Sequence, residues 1–125
     1  MNPLDALREW FLVDTLFADF EFCRGGWRDT PGNKAKCLAA MIGQGGGGPL
    51  GSINWQSVRV VLLGPVNGKA QQVAVEDAAL STMRRLETDF QACGIAHIKL
   101  QGGIIGPGTT AENRPWYELN FSLML

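Results

Sequence analysis

The chain has 125 residues, of which 46% are hydrophobic and 18% charged. This length predicts one domain over residues 1–125, and the composition excludes a disordered chain or a coiled coil. Three cysteines, Cys23, Cys37 and Cys93, form no C-x-x-C pair, which argues against a zinc ribbon or a secreted disulfide framework and favours reduced thiols. Without a long apolar run or a charged-then-apolar leader, we expect neither a membrane span nor an export signal.

Charge is distributed unevenly along the chain, although the net charge is only −1. Residues 1–22 hold five acids and one base, residues 23–69 hold six bases and one acid, and the remainder holds six acids and four bases. This segregation fits two complementary faces, as a head-to-tail ring requires, or chance clustering along a short chain. No basic run reaches five or six residues, which argues against nucleic-acid binding.

The N-terminal segment predicts a helix followed by a strand. Asn2 is a suitable cap, Pro3 fits the first helical turn, and Asp5 lies near the positive end of the helix dipole. Apolar residues then recur at helical spacing. The core positions expected on this helix are Ala6, Leu7, Trp10, Val13, Leu16 and Phe17. Phe20 and Phe22 alternate with polar neighbours, which indicates that the period has changed to that of a strand.

Glycine-rich stretches separate the next predicted elements. Lys36–Ile42 favours a buried strand, because it is a short apolar stretch between two glycine-containing segments. Gly43–Ser52 contains six glycines and is predicted to be a flexible loop or a hairpin arm. Ile53–Leu63 then alternates as a strand with Arg59 on the side opposite its main apolar positions.

A second helix is predicted over Gln71–Ala92. Its expected core positions are Val75, Ala79, Met83, Leu86 and Phe90. Gly94 stands where a left-handed C-terminal cap would lie. A strand over Ile95–Gln101 and a loop over Gly102–Asn113 are expected to follow.

The last segment, after Pro115, alternates most regularly. The positions predicted to face the core are Tyr117, Leu119, Phe121, Leu123 and Leu125, and those predicted to face solvent are Glu118, Asn120 and Ser122. The order of helix, strands, helix and strands predicts an α+β fold. We expect a mostly antiparallel sheet with both helices packed on one face and a long glycine-rich loop or hairpin arm.

Residue patterns typical of catalysis or cofactor binding are weak in this chain. Gly43–Gly48 formally matches G-x-G-x-x-G, but a strand follows instead of a helix, and no acid lies at the required distance. Gly64–Lys69 resembles a P-loop, but it has too few residues between its glycines. Ala70 also stands where a P-loop has the hydroxyl residue that binds magnesium. His97 is the only histidine and is interpreted as a strand residue without a chemical role. We therefore predict no catalytic residue, no metal site and no cofactor.

Contacts between proteins are the remaining candidate function for individual residues. Arg84 and Arg85 either contact a partner or pair with Asp89 along the helix. Trp116 is at a position of the last strand whose side chain is predicted to point away from the core. It is either an aromatic residue of an interface or a residue at the edge of the core. The predicted interface set is Gly45, Gly46, Gly47, Arg59, Arg84, Arg85, Arg114 and Trp116.

The order of elements, with the segments Asp19–Phe22, Asn54–Leu63 and Arg114–Leu123, resembles the tail terminator (tail completion) proteins of long-tailed bacteriophages and related minor tail proteins. The resemblance covers nearly the whole chain and rests on element order and strand residues instead of a diagnostic motif. It implies a virion subunit without catalytic residues, assembled in the host cytoplasm into a six-membered ring at the head-proximal end of the tail tube. There the ring would stop tube polymerisation and offer a surface to head-completion or neck proteins.

The resemblance also implies which molecules the subunit contacts. Its partners would be further copies of itself, the major tail tube protein and the head-completion proteins, with room for DNA to pass through the ring. Gly43–Ser52 and Gly102–Asn113 would lie against a neighbour or the tube, becoming ordered on contact. Two alternatives stay open: a stopper protein of the phage neck, and a small cytosolic enzyme or ligand-binding module that uses the glycine loop.

Overall fold

The computed structural model describes residues 2–47 and 55–125. The helices are α1 (Pro3–Leu12) and α2 (Gln72–Arg85), with short 3₁₀ helices at Thr15–Phe17 and Lys69–Gln71. The strands are β1 (Phe20–Arg24), β2 (Cys37–Gly47), β3 (Trp55–Leu63), β4 (His97–Leu100), β5 (Ile105–Thr109) and β6 (Pro115–Met124).

The six strands of these two ranges belong to one sheet with the order β1-β2-β3-β6-β4, and β5 also pairs with β6. Only β1 and β2 are parallel, while the other pairs are antiparallel. The last strand, β6, therefore lies inside the sheet, with β3 along one side and β4 and β5 in succession along the other. The predicted α+β fold with a mostly antiparallel sheet is confirmed.

Both helices pack on one face of the sheet, as predicted. The buried side chains of α1 and α2 meet the alternating apolar positions of β3 and β6 in a single cluster. Phe11 lies within this cluster, and its ring contacts those of Phe17, Phe22 and Phe121 at centroid distances of 5.0, 6.1 and 5.8 Å. A contiguous aromatic core thus joins α1 to the sheet.

Helix α1 begins where predicted but ends at Leu12, five residues before Phe17, the last core position predicted for it. Asn2 accepts a hydrogen bond from the Leu4 N–H at 2.8 Å, whereas Asp14 starts a new turn by accepting from the Leu16 N–H at 3.0 Å. The chain changes direction there, so Val13 is 73% exposed and Leu16 48% exposed. Their prediction as core residues is wrong.

Helix α2 likewise ends at Arg85, seven residues before the predicted end. Phe90 lies outside the helix, half-buried, with its ring 4.8 Å from that of His97. Its backbone oxygen accepts from the Ile98 N–H at 2.6 Å, so the segment leaves the helix to lie beside β4. Gly94 does adopt a left-handed φ of 78°, but in a turn after the helix, so its prediction as a helix cap is wrong.

Two predicted loops contain strand. Gly43–Gly47 belong to β2, and Gly46 and Gly47 pair with Gln56 and Trp55 of β3. Of the two predicted alternatives, these residues form the hairpin arm and not the flexible loop, and residues 48–52 of that segment lie outside the described part of the chain. Within Gly102–Asn113, Ile105–Thr109 form β5, so that loop prediction is wrong in part.

The alternation predicted for β6 is confirmed at Tyr117, Leu119, Phe121 and Leu123, which are all buried. Two positions differ. Leu125 follows the strand and is 39% exposed, whereas Ser122 is buried on the face away from the helices, where its hydroxyl accepts from the Gln101 side-chain amide.

Candidate assembly interface

The sheet face away from the helices, called the outer face below, has an apolar and a polar zone. The apolar zone consists of Leu38, Ala40, Val61 and Leu63, with Cys23, Trp27 and Trp116 packed against them. The polar zone follows along β3 and β6 and includes Arg59, Glu118 and Asn120. The helix-covered face is occupied by the core, so the outer face is the side of the sheet that offers charged groups to a partner, and its polar zone is one source of them.

Arg59 is held in place on this polar zone. Its Nε donates to Glu118 Oε1 at 2.7 Å, and Asn120 donates to the other carboxylate oxygen at 3.1 Å. The Arg59 side chain remains 40% exposed, and a partly exposed pair of this kind contributes no more than about 1 kcal/mol to stability. The pair therefore fixes the position of a surface charge more than it stabilises the fold.

Trp116 lies in the apolar zone and is half-buried. It pairs with Leu63 on one side, and Gly108 of β5 lies directly against its indole ring on the other. A Cβ atom at Gly108 would overlap that ring. This packing favours the interpretation of Trp116 as a residue at the edge of the core.

Arg114 does not lie on the surface, contrary to its prediction as an interface residue. Its side chain is fully buried, and its Nε donates to Asp29 Oδ1 at 2.5 Å. One terminal nitrogen donates to the backbone oxygens of Lys36 and Gly64, both at 3.0 Å, and the other donates to the backbone and side-chain oxygens of Asn33. All guanidinium donors are used inside the subunit, so Arg114 is a structural residue.

Arg85 is also engaged within the subunit, which supports the alternative that it pairs with Asp89. Its guanidinium carbon lies 3.8 Å from the centroid of the Trp10 ring, and Asp89 accepts from it at 2.8 Å. It also donates to the Trp10 backbone oxygen. Arg85 therefore ties α2 to α1, whereas Arg84 beside it is exposed.

Some charges of the acidic and basic sequence segments pair with each other inside the subunit. Asp5 of the acidic N-terminal segment forms an ion pair with Arg24 of the basic middle segment. Lys34, Lys36 and Lys69 of that middle segment are exposed. Only some of the acidic and basic residues therefore remain available on the surface to form the two oppositely charged faces that the sequence suggests.

Sequence reasoning missed an exposed apolar patch formed by Leu12, Val13 and Leu16. Asp14 holds the backbone of this patch, because its carboxylate caps the following turn and accepts from the Ser81 hydroxyl at 2.6 Å. An aspartate followed by Thr-Leu-Phe is a helix-start signal, and it could have indicated that a new turn begins there.

The described surface carries grooves of about 340 and 530 Å³, and each has a mixed polar and apolar lining. The groove of about 340 Å³ is lined by Asn67, Lys69, Gln72, Thr109, Asn113 and Pro115. The P-loop-like segment contributes to it as a turn that enters a short 3₁₀ helix. Among residues 2–47 and 55–125, no group of three His, Cys, Asp or Glu side chains is placed to hold a metal ion.

Three groups have altered acidity because of burial. Burial raises the pKa of the Cys23 and Cys37 thiols, and the nearby Arg114 charge opposes this effect. Burial also raises the pKa of Tyr117, whose hydroxyl donates to Glu76 Oε2 at 3.2 Å. A raised thiol pKa lowers the thiolate fraction, so Cys23 and Cys37 lack the character of activated nucleophiles.

A model for a family of structural bacteriophage tail proteins matches the chain over residues 1–125. Its description is "Phage tail termination protein", and because the match spans the whole chain, the protein belongs to the phage tail termination protein family. No curated protein matches the chain at a significant level.

The family membership confirms the resemblance found in the sequence and defines the protein as a structural component of the virion tail. The family is one of structural proteins and not of enzymes. None of the helices in the described ranges has the length and apolar character needed to cross a membrane.

Proposed function

We propose that the protein forms a ring of six subunits at the head-proximal end of the tail tube, where it stops tube polymerisation and provides the surface for head–tail joining. The observation that carries this proposal is the match of the entire chain to the tail termination family. Its partners are further copies of itself, the major tail tube protein and the head-completion proteins. The ring assembles in the host cytoplasm and remains in the virion tail.

The subunit surface supports this proposal because it has several chemically different regions. A closed ring needs two different surfaces on each subunit, one for each neighbour, and stacking on a tube needs a third. The described surface offers chemically distinct regions: the polar zone around Arg59, the apolar patch Leu12, Val13 and Leu16, and the exposed Arg84 of α2. Exposed apolar patches flanked by polar residues are typical of protein-binding sites.

Electron micrographs of tails from a phage that lacks this protein test the proposal. We expect overlong tubes without heads, and restoration of the protein should restore tubes of uniform length. Tubes of normal length without attached heads would contradict termination and would favour the stopper protein of the neck. Cross-linking to the major tail tube protein, rather than to a portal adaptor, separates the same two functions in intact particles.

The residues proposed as contacts are those of the predicted set other than Arg85, Arg114 and Trp116, whose side chains pack within the subunit. Arg59 and Arg84 present charge to solvent, and Gly45, Gly46 and Gly47 lie in the part of β2 that pairs with the start of β3. We expect Arg59→Glu and Arg84→Glu to reduce assembly more than folding. Lys34→Glu is the matched control, since Lys34 is exposed but outside the proposed set.

A further inference from the structure

The described sheet has two borders that differ in sequence and chemistry. Within residues 2–47 and 55–125, β1 pairs only with β2, and β4 pairs only with β6. Because the order is β1-β2-β3-β6-β4, these two strands are four strand spacings apart, or about 19 Å. One subunit therefore carries a β1 edge on one side and a β4 edge on the other.

The directions of these strands suit a head-to-tail contact. β1 is parallel to β2, and three antiparallel steps lead from β2 through β3 and β6 to β4. It follows that β1 and β4 run in opposite directions. A rotation about an axis nearly parallel to the strands places the β4 edge of one copy antiparallel to the β1 edge of the next, and repetition of that rotation closes a ring.

The side chains at the two edges are complementary on both faces. Glu21 is opposite Leu38, and Lys99 is opposite Ser122, so both charges point to the outer face, where both are exposed. On the helix-covered face, Phe20 and Phe22 of β1 and Leu100 of β4 are only partly buried against the core. Contact between the edges would pair the opposite charges and complete the burial of these apolar side chains.

Backbone groups are available at both edges, although the shared segment is short. Gly25 N–H donates to the Met41 oxygen, so the alternation along β1 directs the backbone of Phe20 away from β2. On β4, Ile98 N–H is already bonded to the Phe90 oxygen. The alternation leaves the backbone of Leu100 directed away from β6. Antiparallel pairing of Leu100 with Phe20 places Lys99 opposite Glu21, and Phe90 limits the length of that pairing.

We propose that neighbouring subunits join by the β1 edge of one copy and the β4 edge of the next, with Glu21 and Lys99 forming an ion pair between subunits. This inference rests on the proposed ring. It specifies that the partner is a second copy of this chain and that the contact is head to tail, with the β1 edge of one copy against the β4 edge of the next. The opposite charges also disfavour a symmetric contact between two identical edges. Two β1 edges, for example, would bring the Glu21 carboxylates of both copies together.

Reciprocal charge reversal tests the contact. Glu21→Lys and Lys99→Glu should each reduce incorporation of the protein into tails by about tenfold, since each creates like charges at every subunit boundary. The double variant should recover nearly wild-type incorporation, because it restores the pair in reverse. Glu112→Lys and Lys34→Glu are the controls, being exposed residues outside both edges, and all variants should keep the thermal midpoint of the wild type.

A cross-link provides an independent readout. With the three native cysteines replaced by serine, Glu21→Cys and Lys99→Cys together should give disulfide-linked oligomers in assembled tails. The distance across the sheet prevents the same bond within one subunit. Rings that assemble normally with either single reversal, or that form no such cross-link, would overturn the contact and leave the ring intact. Tails that contain the protein without any ring would instead overturn the proposed function.

Discussion

Arg114 and Asp29 are 85 positions apart in the sequence, yet the Arg114 Nε lies 2.5 Å from Asp29 Oδ1. The guanidinium is fully buried, whereas the carboxylate is 19% exposed. Because the same guanidinium also binds backbone oxygens of Asn33, Lys36 and Gly64, it holds the segment between β1 and β2 against the end of β3. One cation thus organises an end of the sheet that has little regular structure of its own.

Loss of the Asp29 carboxylate should destabilise the protein strongly. Asp29→Ala leaves a buried guanidinium without a counter-charge, and breaking a buried pair in this way costs about 3–5 kcal/mol. Urea unfolding gives the measurement. Asp77→Ala is the control, because Asp77 is an exposed residue of α2 and its loss should change the free energy of unfolding by less than about 0.5 kcal/mol. Equal effects of the two substitutions would contradict the organising role of Arg114.

Close packing between Gly108 and Trp116 predicts a strong effect of a single methyl group. A Cβ atom at Gly108 would overlap the indole ring, so Gly108→Ala must displace Trp116 or β5 and should cost about 1–3 kcal/mol. Gly103→Ala is the matched control, since a Cβ atom there meets nothing within 4 Å. Thermal unfolding compares the two, and a Gly108 variant as stable as the control would show that Trp116 is not fixed by β5.

The two phenylalanines Phe11 and Phe90 should differ in their contribution to stability. Phe11 is fully buried among other aromatic rings, so Phe11→Ala should cost about 3–5 kcal/mol. Phe90 is half-buried outside α2, and the loss of its side chain should cost less than about 2 kcal/mol. Chemical denaturation of both variants checks this order, and a larger loss for Phe90 would favour the longer helix that the sequence predicts.

The parts of the fold that the sequence predicts well are those set by local periodicity. The buried positions of β6 follow a period of two, and the start of α1 follows from the cap at Asn2, so neither depends on distant residues. The ends of both helices depend on distant residues. Asp14 is fixed partly by Ser81, and the Phe90 backbone is drawn to Ile98, which helical periodicity cannot show.

The predicted contact residues illustrate the same limit. A lone arginine before the last strand has the sequence features of a surface charge, and only the tertiary fold brings Asp29 and three backbone oxygens around Arg114. Arg85 is similar, because its stacking on Trp10 joins two helices that are far apart in the chain. Gly43–Gly47 form strand because β3 supplies the pairing partner, although glycine itself disfavours strands.

Tyr117 predicts how stability depends on alkaline pH. Burial, and the nearby Glu76 carboxylate, raise its pKa above the ordinary value of 10.0, while a hydrogen bond with Gln72 opposes the shift. Above pH 10 the unfolded chain therefore loses a proton that the folded protein retains, so the free energy of unfolding should decrease as the pH rises. Because Tyr117 is the only tyrosine, tyrosinate absorbance reports its titration directly. Tyr117→Phe should lose this part of the pH dependence, and a midpoint at or below 10 in the folded wild type would contradict the effect of burial.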